Sequence, residues 1–332
     1  MPRKTKDKGS SPTVREGAGR DGRGGERERR SASPSSRSVV IVGAGRLGTA
    51  LARALLGCGY EVRALVSRKS ARARRAGVEA GVEALALSSE ELERLPAAGL
   101  LFITTPDDLI EETAVRLATL PALKSRVVLH ASGALSSEVL APLRARGCAV
   151  GSMHPLASVS EAAAGAESLR RAFYCVEGDA TAVRVARRVV RDLGGETFTI
   201  NPGDKALYHA AAVMSAGHVV ALFDVALGAL RRCGLSEPRA RKILLPLLRS
   251  VADNLAHHAP ARALTGSFAR ADLETVRQHL RALSRLEDSD ALAVYKLLGE
   301  HSLKLVESAG ADRDITETIR RLLTKSSPRS GG

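Results

Sequence analysis

The stretch Val39-Val40-Ile41-Val42-Gly43-Ala44-Gly45-Arg46-Leu47-Gly48 decides the fold of this chain. A run of β-branched residues leads into a G-x-G-x-x-G turn, and an Ala- and Leu-rich segment, Arg46 to Leu56, follows it. In a Rossmann-type unit the first glycine permits the tight turn, the second lets the backbone approach a pyrophosphate, and the third lets the helix pack on the sheet. The start of that helix presents free N–H groups and a positive dipole end. The motif therefore predicts a dinucleotide site at residues 43 to 48.

The end of the second predicted strand, Glu61 to Val66, indicates which dinucleotide binds. An acidic residue at this point accepts hydrogen bonds from the ribose 2′-OH of NAD. Here the chain has Ser67 and Arg68 instead, with further arginines close behind. A hydroxyl and a guanidinium suit a 2′-phosphate, so the sequence favours NADP(H) over NAD(H). The alternative is a solvated basic helix, which accounts for Arg74 and Arg75.

Strands and helices continue to alternate after this unit, which predicts a doubly wound, mostly parallel α/β sheet of Rossmann type. The expected elements are a helix Ser88 to Leu95, a strand Leu100 to Thr104, a helix capped by Asp107 or Asp108 and running to Leu120, a strand Val127 to His130, a helix Ser136 to Arg146, and strands Cys148 to Met153, Phe173 to Val176 and Glu196 to Ile200, the last two separated by a helix Ala180 to Leu193. From Asp204 onward the pattern is helical only. We expect domains at 38–200 and 201–325.

Composition limits the class of protein. The 332 residues are 44% hydrophobic but only 3% aromatic, so the core must consist of Ala, Leu and Val. No apolar run approaches the roughly 18 residues of a membrane span, and no signal peptide is evident. The four cysteines are scattered without metal or disulfide spacing, so we expect no metal site. A cytoplasmic protein with reduced thiols is the simplest interpretation.

The net charge of +14 is unevenly distributed. Residues 1–37 hold eleven Lys or Arg and five Asp or Glu, so +6 lies in this segment. With almost no apolar residues, 1–37 is expected to be a disordered basic tail, as is 326–332. Nucleic-acid binding is the alternative reading of the tail, but no aromatic residues are interleaved with the basic ones and acids are interspersed. A solvated tail is favoured.

Polar residues follow three of the predicted strands, at the edge of the sheet where ligands bind in such folds. Thr104-Thr105-Pro106 follows one strand, Ser132 lies just past the next, and His154 follows a third. We expect Thr105, Ser132 and His154 to converge near a nicotinamide. Alternatively, Pro106 and Gly133 are only turn residues and Ser132 only caps a turn. His154 would then be a hydrogen-bonded histidine at the rim of the sheet.

The helical half begins with a second group of candidates. Lys205 and His209 lie four residues apart on one helix face, with Tyr208 beside them and Asp204 suited to an N-cap. A lysine in the first turn opposes the helix dipole unless something anionic lies opposite. Hydride transfer to C=O or C=N needs a proton donor or a cation, which Lys205 or His209 could supply. An exposed lysine and an interdomain histidine remain the alternative.

The order of these motifs resembles a known family. His130-Ala131-Ser132-Gly133-Ala134-Leu135, the segment Gly151 to Leu156, Asp204 to Ala212, and Leu264-Thr265-Gly266 with Arg270-Ala271-Asp272 are similar to bacterial proteins that join a Rossmann-like NADP-binding domain to a DUF2520 helical domain. The resemblance covers nearly all of residues 38–325. It implies relatedness to pyrroline-5-carboxylate reductases, ketopantoate reductases and proteins with a C-terminal domain of the 6-phosphogluconate dehydrogenase type. The His-Pro-Leu segment is also similar to one in prephenate dehydrogenases.

The chain departs from the family pattern at two places. Ala216-Gly217 stands where a Ser-Asn pair is usual, and Ser267 and Ala271 stand where Pro and Gly are common. Two function classes therefore stay open: an NADP(H)-dependent oxidoreductase acting on a small carbonyl or imine between the two domains, and a non-catalytic NADP(H)-binding sensor. A prephenate-type dehydrogenase is a weaker third. Apolar stripes on the long helices, together with the resemblance, predict a homodimer through the helical domain. The helices concerned are Leu207 to Leu230, Ile243 to Leu255 and Leu292 to Val306.

Overall fold

A computed structural model describes residues 37–121, 123, 125–286 and 290–324. The two tails predicted at the termini lie outside these residues, apart from Arg37. The first half of the described chain is an α/β sheet and the second half is helical, as the sequence predicts.

One eight-stranded sheet organises the first half. Its strands are β1 Ser38–Val42, β2 Glu61–Ser67, β3 Leu85–Ser88, β4 Ala98–Ile103, β5 Ser125–His130, β6 Ala149–Pro155, β7 Phe173–Gly178 and β8 Glu196–Phe198. Their spatial order is β3-β2-β1-β4-β5-β6-β7-β8. Strands β1 to β6 are mutually parallel, β7 is antiparallel to β6, and β8 is parallel to β7. The sequence predicted a doubly wound sheet, and this prediction is confirmed.

Helices cover both faces of this sheet. They are α1 Arg46–Leu56, α2 Ser70–Ala80, α3 Ile110–Ala118, α4 Ala141–Arg144, α5 Ala162–Leu169 and α6 Ala180–Asp192. All five residues of β1 are buried, because Val39 and Ile41 pack into one apolar cluster and Val40 and Val42 into the other. A parallel strand buried on both faces reads as a continuous apolar run rather than an alternating one.

Two predicted helices are wrong or shorter than expected. The segment Ser88 to Leu95 is not a helix: Ser88 ends β3, and a single 3₁₀ turn, Leu92–Arg94, follows it. Parallel pairing with β2 outweighs the serine and acid signals, and Glu91 accepts hydrogen bonds from Ser88 instead of opening a helix. The expected helix Ser136 to Arg146 is a 3₁₀ turn, Ser137–Leu140, followed by the single turn α4.

Among the residues described in the second half, the regular elements from Lys205 onward are all helices: α7 Lys205–Ser215, α8 Gly217–Arg232, α9 Glu237–His257, α10 Pro260–Ala263, α11 Leu273–Leu283, α12 Asp290–Ser308 and α13 Arg313–Thr324. The expected continuous helix Leu207 to Leu230 is interrupted at Ala216, whose backbone leaves the helical region (φ −126°, ψ −74°). Asp272 caps α11 by accepting from the Thr275 backbone N–H at 3.0 Å.

The apolar character of Pro202–Arg232 exceeds the expectation from sequence. This stretch is long and apolar enough to cross a membrane by length and composition alone, and its most apolar 18 residues have a mean hydropathy of 1.8 and are 6% buried. The prediction that no run approaches a membrane span is therefore wrong. The charged residues of this stretch are too widely spaced to lower its average hydropathy.

Reversal of β7 brings the helical half to the carboxyl edge of the sheet. Cys175 in β7 pairs with both His154 in β6 and Phe198 in β8. The end of β8 therefore lies at the same level as the end of β6. Because α7 begins a few residues later, its first two turns pack beside the residues that follow the parallel strands.

Candidate functional site

A cavity of about 770 Å³ lies at the carboxyl ends of β1, β2 and β4. Most of the residues predicted to bind a dinucleotide line it: Gly43, Ala44, Gly45, Ser67, Arg68, Thr104, Thr105 and Pro106. The other three, Arg46, Leu47 and Gly48, belong to the first turn of α1 and are not part of the lining. The volume is in the range of small-molecule and cofactor sites.

The three motif glycines have distinct geometries. Gly43 has φ +114°, and a Cβ there would lie 2.5 Å from the backbone of Thr104 and Thr105. A Cβ on Gly48 would collide with the Gly43 carbonyl and lie 2.6 Å from Thr104 Oγ1. Gly45 alone faces open space, with nothing within 4 Å of its ideal Cβ. These geometries match the three roles of the motif: Gly43 makes the tight turn, Gly45 leaves room for a ligand, and Gly48 allows close packing of the helix.

Two unsatisfied polar features face this cavity. No side chain caps the N-terminus of α1, and its first turn contains no acid. Thr104 Oγ1 bonds back to the Gly43 carbonyl at 2.8 Å, whereas Thr105 Oγ1 is buried without a hydrogen-bond partner. Buried polar atoms are nearly always satisfied, so an orphaned hydroxyl indicates a group that binds there. Oriented amides and a hydroxyl suit phosphate and ribose oxygens.

The rim beyond β2 is basic. Ser67, Arg68 and Arg72 line the cavity, while Arg74 and Arg75 line a separate surface groove. Arg72 pairs with Glu79 at 3.3 Å. Among the residues that the structure describes, no carboxylate pairs with Arg68. Its exposed guanidinium is thus available to a phosphate at the end of β2.

A second cavity, of about 730 Å³, lies between the end of β6 and helix α7. Its polar side chains include His154, Tyr208 and His209. The imidazole rings of His154 and His209 lie edge to face with centroids 5.6 Å apart. The structure therefore brings these two predicted residues into one cavity, together with Tyr208.

A hydrogen bond orients His154. Its Nδ1 lies 2.7 Å from the Tyr208 hydroxyl. Burial lowers the pKa of His154 to about 4, and His209 and Lys205 add to the effect, so the imidazole is neutral near pH 7. Burial also raises the pKa of Tyr208, so the phenol keeps its proton. When Tyr208 donates to Nδ1, the remaining proton of the neutral ring is on Nε2.

Gly133 forms the floor beneath the two imidazoles. A Cβ at this position would lie 2.6 Å from His209 Cδ2 and 2.8 Å from His154 Nε2. Any side chain here would displace both rings. The glycine is therefore needed for close approach between the turn after β5 and the histidines.

Ser132, adjacent to that glycine, connects the two cavities. Its hydroxyl donates to Asp107 Oδ2 at 2.7 Å and accepts from the backbone N–H groups of Ala134 and Leu135. Asp107 directly follows Pro106 of the first cavity, and its side chain makes this bond rather than capping a helix. The hydroxyl of Ser132 is fully engaged and 5% exposed, so it holds the turn in place.

Lys205 is buried below the second cavity rather than lining it. The side chain is 1% exposed, and its Nζ donates to Ser152 Oγ at 2.5 Å and to the Ser132 carbonyl at 3.3 Å. Glu177 Oε1 lies 3.6 Å away and is also buried. Burial lowers the pKa of Lys205 while Glu177 raises it, and burial is the larger effect.

Glu177 and Ser152 were missed by the sequence reasoning. Glu177 also accepts from the backbone N–H and hydroxyl of Ser137, at 2.8 and 2.7 Å. Two signals pointed to it: it is the only acid in the apolar strand β7, and a lysine in a first helical turn calls for a nearby anion. The partnership itself depends on the register between β6 and β7, which places Ser152 opposite Glu177.

The remaining titratable groups of interest are His130 and the cysteines. His130 is fully buried, and burial lowers its pKa to about 3; its Nε2 has no partner. The four cysteines are free thiols. Within the described residues, no group of three or more His, Cys, Asp or Glu side chains could hold a metal ion.

Comparison with protein families gives two matches. Residues 25–155 match the Rossmann-like domain, and residues 172–302 match the domain of unknown function DUF2520. A comparison with curated proteins found no significant match.

Several solved structures share this fold over most of the chain. A protein of Bacteroides fragilis described as an NADP oxidoreductase is 21% identical, with a TM-score of 0.66 over 82% of this chain and 98% of its own. A protein of Thermotoga maritima is 24% identical, with a TM-score of 0.62 over 82% and 100%. A pyrroline-5-carboxylate reductase of Streptococcus pyogenes is 16% identical, with a TM-score of 0.53 over 87% and 98%. The chain belongs to the proteins that join a Rossmann-like domain to a DUF2520 domain.

Proposed function

We propose that this protein is an NADP(H)-dependent oxidoreductase that reduces a small carbonyl or imine in the cavity beside His154. The main support is that the two cavities flank one turn: Ser132 is bonded to the loop that lines the first, and Gly133 contacts the imidazoles of the second. The fold shared with NADP oxidoreductases agrees with this proposal.

The residues of the first cavity suit a dinucleotide. The amides at the start of α1 and the open face of Gly45 would hold the pyrophosphate, Thr105 Oγ1 would bond a ribose or nicotinamide oxygen, and Ser67 and Arg68 would bind the 2′-phosphate. A bound reduced nicotinamide would supply the hydride that forms the new C–H bond.

The protein itself would stabilise and protonate the substrate oxygen or nitrogen that becomes negative. The π electron pair of C=O or C=N moves to that atom, which then takes a proton. A neutral His154 with its hydrogen on Nε2 can donate to this atom, and Tyr208 holds the required tautomer. A proton lost from Nε2 is replaced from solvent through the open mouth of the cavity.

Lys205 has a positioning role in this scheme. Its ammonium fixes the Ser132 carbonyl and Ser152, both beneath the cavity, and does not reach the lining. Loss of Lys205 would therefore displace Ser132 and Gly133, and with them the imidazoles. Rescue by Lys205→Arg would be poor, since a planar guanidinium does not fit a buried point-charge site.

Cofactor choice can be tested by calorimetric titration. NADPH should bind at least about tenfold more tightly than NADH, because a charge-assisted phosphate pairing contributes about 1.5–3 kcal/mol. Arg68→Ala should remove most of that difference, whereas Arg75→Ala, which changes the same type of residue outside the cavity, should not. Equal affinities of the native protein for both cofactors would contradict the proposal.

The chemistry can be tested with histidine variants on any substrate found in a screen of carbonyls and imines. His154→Asn and His209→Asn should each lower turnover about a hundredfold and leave NADPH affinity nearly unchanged. His301→Asn, the same change on an exposed part of α12, should have no effect. Loss of NADPH binding in either site variant would show that these residues belong to the cofactor site instead.

A non-catalytic NADP(H) sensor is the second candidate, because Ala216 and Gly217 line the cavity without an amide. A Cβ on Gly217 meets nothing closer than Val213 Cγ1 at 3.8 Å, so an asparagine fits there. If neither the native protein nor Gly217→Asn turns over any substrate while NADPH still binds, the sensor is the better description.

We also propose a cytoplasmic homodimer in which a second copy covers the exposed apolar face of α7, α8 and α9. Leu207, Val220 and Leu247 are each more than half exposed on this face. A membrane is a poor occupant, because the stretch is broken at Ala216 and α9 interleaves Arg and Lys with its leucines. Light scattering on residues 38–332 at micromolar concentration should give twice the chain mass, and Leu207→Glu with Val220→Glu should give one.

A further inference from the structure

The lining of the second cavity, among the residues that the structure describes, contains no lysine or arginine that could pair with a carboxylate. Lys205 is buried and is not part of this lining. That ammonium is already bound to Ser152, the Ser132 carbonyl and Glu177. A carboxylate in the cavity would lose hydration without gaining a salt bridge.

The walls of the cavity are apolar. Pro155 and Leu156 form one side, Phe198 packs against Tyr208 with ring centroids 5.8 Å apart, and Ala212 and Val213 form the opposite side. Apolar walls with a few polar groups at one end are typical of sites that bind an apolar molecule and orient one polar atom. Here the polar end consists of His154, His209 and Tyr208.

The two histidines do not replace a cationic clamp. They face each other at 5.6 Å between centroids, so protonation of one opposes protonation of the other. Burial likewise keeps His154 neutral near pH 7. A neutral His154 donates a single hydrogen bond to an oxygen or nitrogen, as a carbonyl or imine requires, and it provides no net charge for an acid group.

From this arrangement we infer that the substrate is a small uncharged ketone, aldehyde or imine with an apolar body, and that it has no carboxylate group. The inference rests on the proposed function and narrows its substrate class. It excludes keto acids, cyclic imino acids and prephenate-like diacids as preferred substrates.

The test compares matched pairs that differ only in a carboxylate. Cyclohexanone is paired with 4-oxocyclohexanecarboxylate, and 1-pyrroline with 1-pyrroline-5-carboxylate, and kcat/KM is measured from NADPH oxidation by the full chain. The neutral member of each pair should be favoured by about tenfold or more, the usual penalty for an unpaired buried charge. Equal rates, or preference for the carboxylate, would overturn the inference while leaving the proposed function intact.

A binding measurement keeps the inference testable if no pair reacts. Cyclohexanol and 4-hydroxycyclohexanecarboxylate are titrated into the protein with NADPH, and the imidazole NMR signals of His154 and His209 are followed. Shifts with the alcohol and none with the hydroxy acid would support the inference even though the proposed reduction had failed. Shifts with the acid alone, or with neither compound, would overturn it.

A cation introduced into the cavity wall should create the missing carboxylate site. Val213→Arg places a guanidinium on the apolar wall and should reverse the preference toward the carboxylate member of each pair. Val213→Gln adds similar length and polarity without charge and should not reverse it. A carboxylate preference of the same size in both variants would show that charge at the wall does not determine substrate choice, and so would contradict the inference.

Discussion

Strand β1 and helix α8 have similarly apolar sequences, and their environments are opposite. Every residue of β1 is buried, whereas among the sixteen residues of α8 only Leu227 is. Strand β1 lies between two strands and under helices on both faces. Helix α8 packs on α7, α9 and α12 along part of its surface and exposes the rest. Apolar composition alone therefore does not identify a core, since the same residues can also form a surface that a partner covers.

The contrast extends to whole regions. The buried clusters of the sheet include residues of every strand from β1 to β7. The buried cluster of the helical half has only four fully buried members, Val276, Leu303, Ile319 and Leu323, all outside α7 to α9. We expect the sheet to determine the stability of a single chain and the helices α7 to α9 to determine its association.

The largest expected effect is loss of a sheet side chain. Phe102→Ala empties a fully buried site in β4 and should cost about 3–5 kcal/mol of unfolding free energy. Leu207→Ala in α7, where the side chain is 72% exposed in the single chain, should change the same quantity by about 0.5 kcal/mol or less when the protein is dilute enough to be monomeric. Urea unfolding followed by circular dichroism measures both. Comparable losses would mean that α7 belongs to a core after all.

The next effect comes from the buried ion pair that joins the two regions. Glu177→Gln leaves Lys205 without its counter-charge, and breaking a buried pair in this way should cost roughly 3 kcal/mol. Glu138→Gln is the control, since Glu138 pairs with Arg144 at the surface and should matter by less than about 1 kcal/mol. A Glu177→Gln protein as stable as the native one would show that Lys205 is neutral in the fold.

Stability should also fall in mild acid. The folded-state pKa of His130 is lowered to about 3 and that of His154 to about 4, whereas both lie near 6.5 in the unfolded chain. Below pH 6.5 the unfolded chain binds protons that the fold excludes, so stability present above that pH is lost as the pH falls. The loss should be about 3 kcal/mol between pH 6.5 and 5, roughly half of it from each histidine. His154→Asn should roughly halve the slope, and an unchanged slope would argue against a buried neutral ring.

The smallest effect concerns backbone strain in the helical half. Ala271 has φ +50°, a left-handed conformation that disfavours every residue with a Cβ. Ala271→Gly should raise stability by about 0.5–1 kcal/mol. Ala269→Gly, two residues earlier at negative φ, should lower it slightly instead. Thermal unfolding of the two variants compares them, and equal shifts would show that the conformation at 271 carries no strain.

Local sequence signals predicted much of the sheet and part of the site. The glycine turn and the apolar run before it predict β1 and α1, because each glycine meets a local geometric need. Helix α1 has the predicted bounds, and β1 begins one residue earlier than predicted, at Ser38. Strand β3 was missed because its four residues gain stability only by pairing with β2. Likewise, the sequence placed Lys205 and His209 on one helix face, but which of them is buried depends on the packing of α7 against β6.

The pair Lys205 and Glu177 has a consequence for motion. If α7 moved away from the sheet, the two buried charges would be separated. Neither would be fully hydrated until the movement was large, so a small movement would be costly. Helix α7 and the sheet should therefore move as a single rigid body. The backbone departs from helical geometry next at Ala216, between α7 and α8, where no side chain caps either helix. Any hinge that admits a substrate is expected there, so that the floor of the cavity stays still while its outer wall swings.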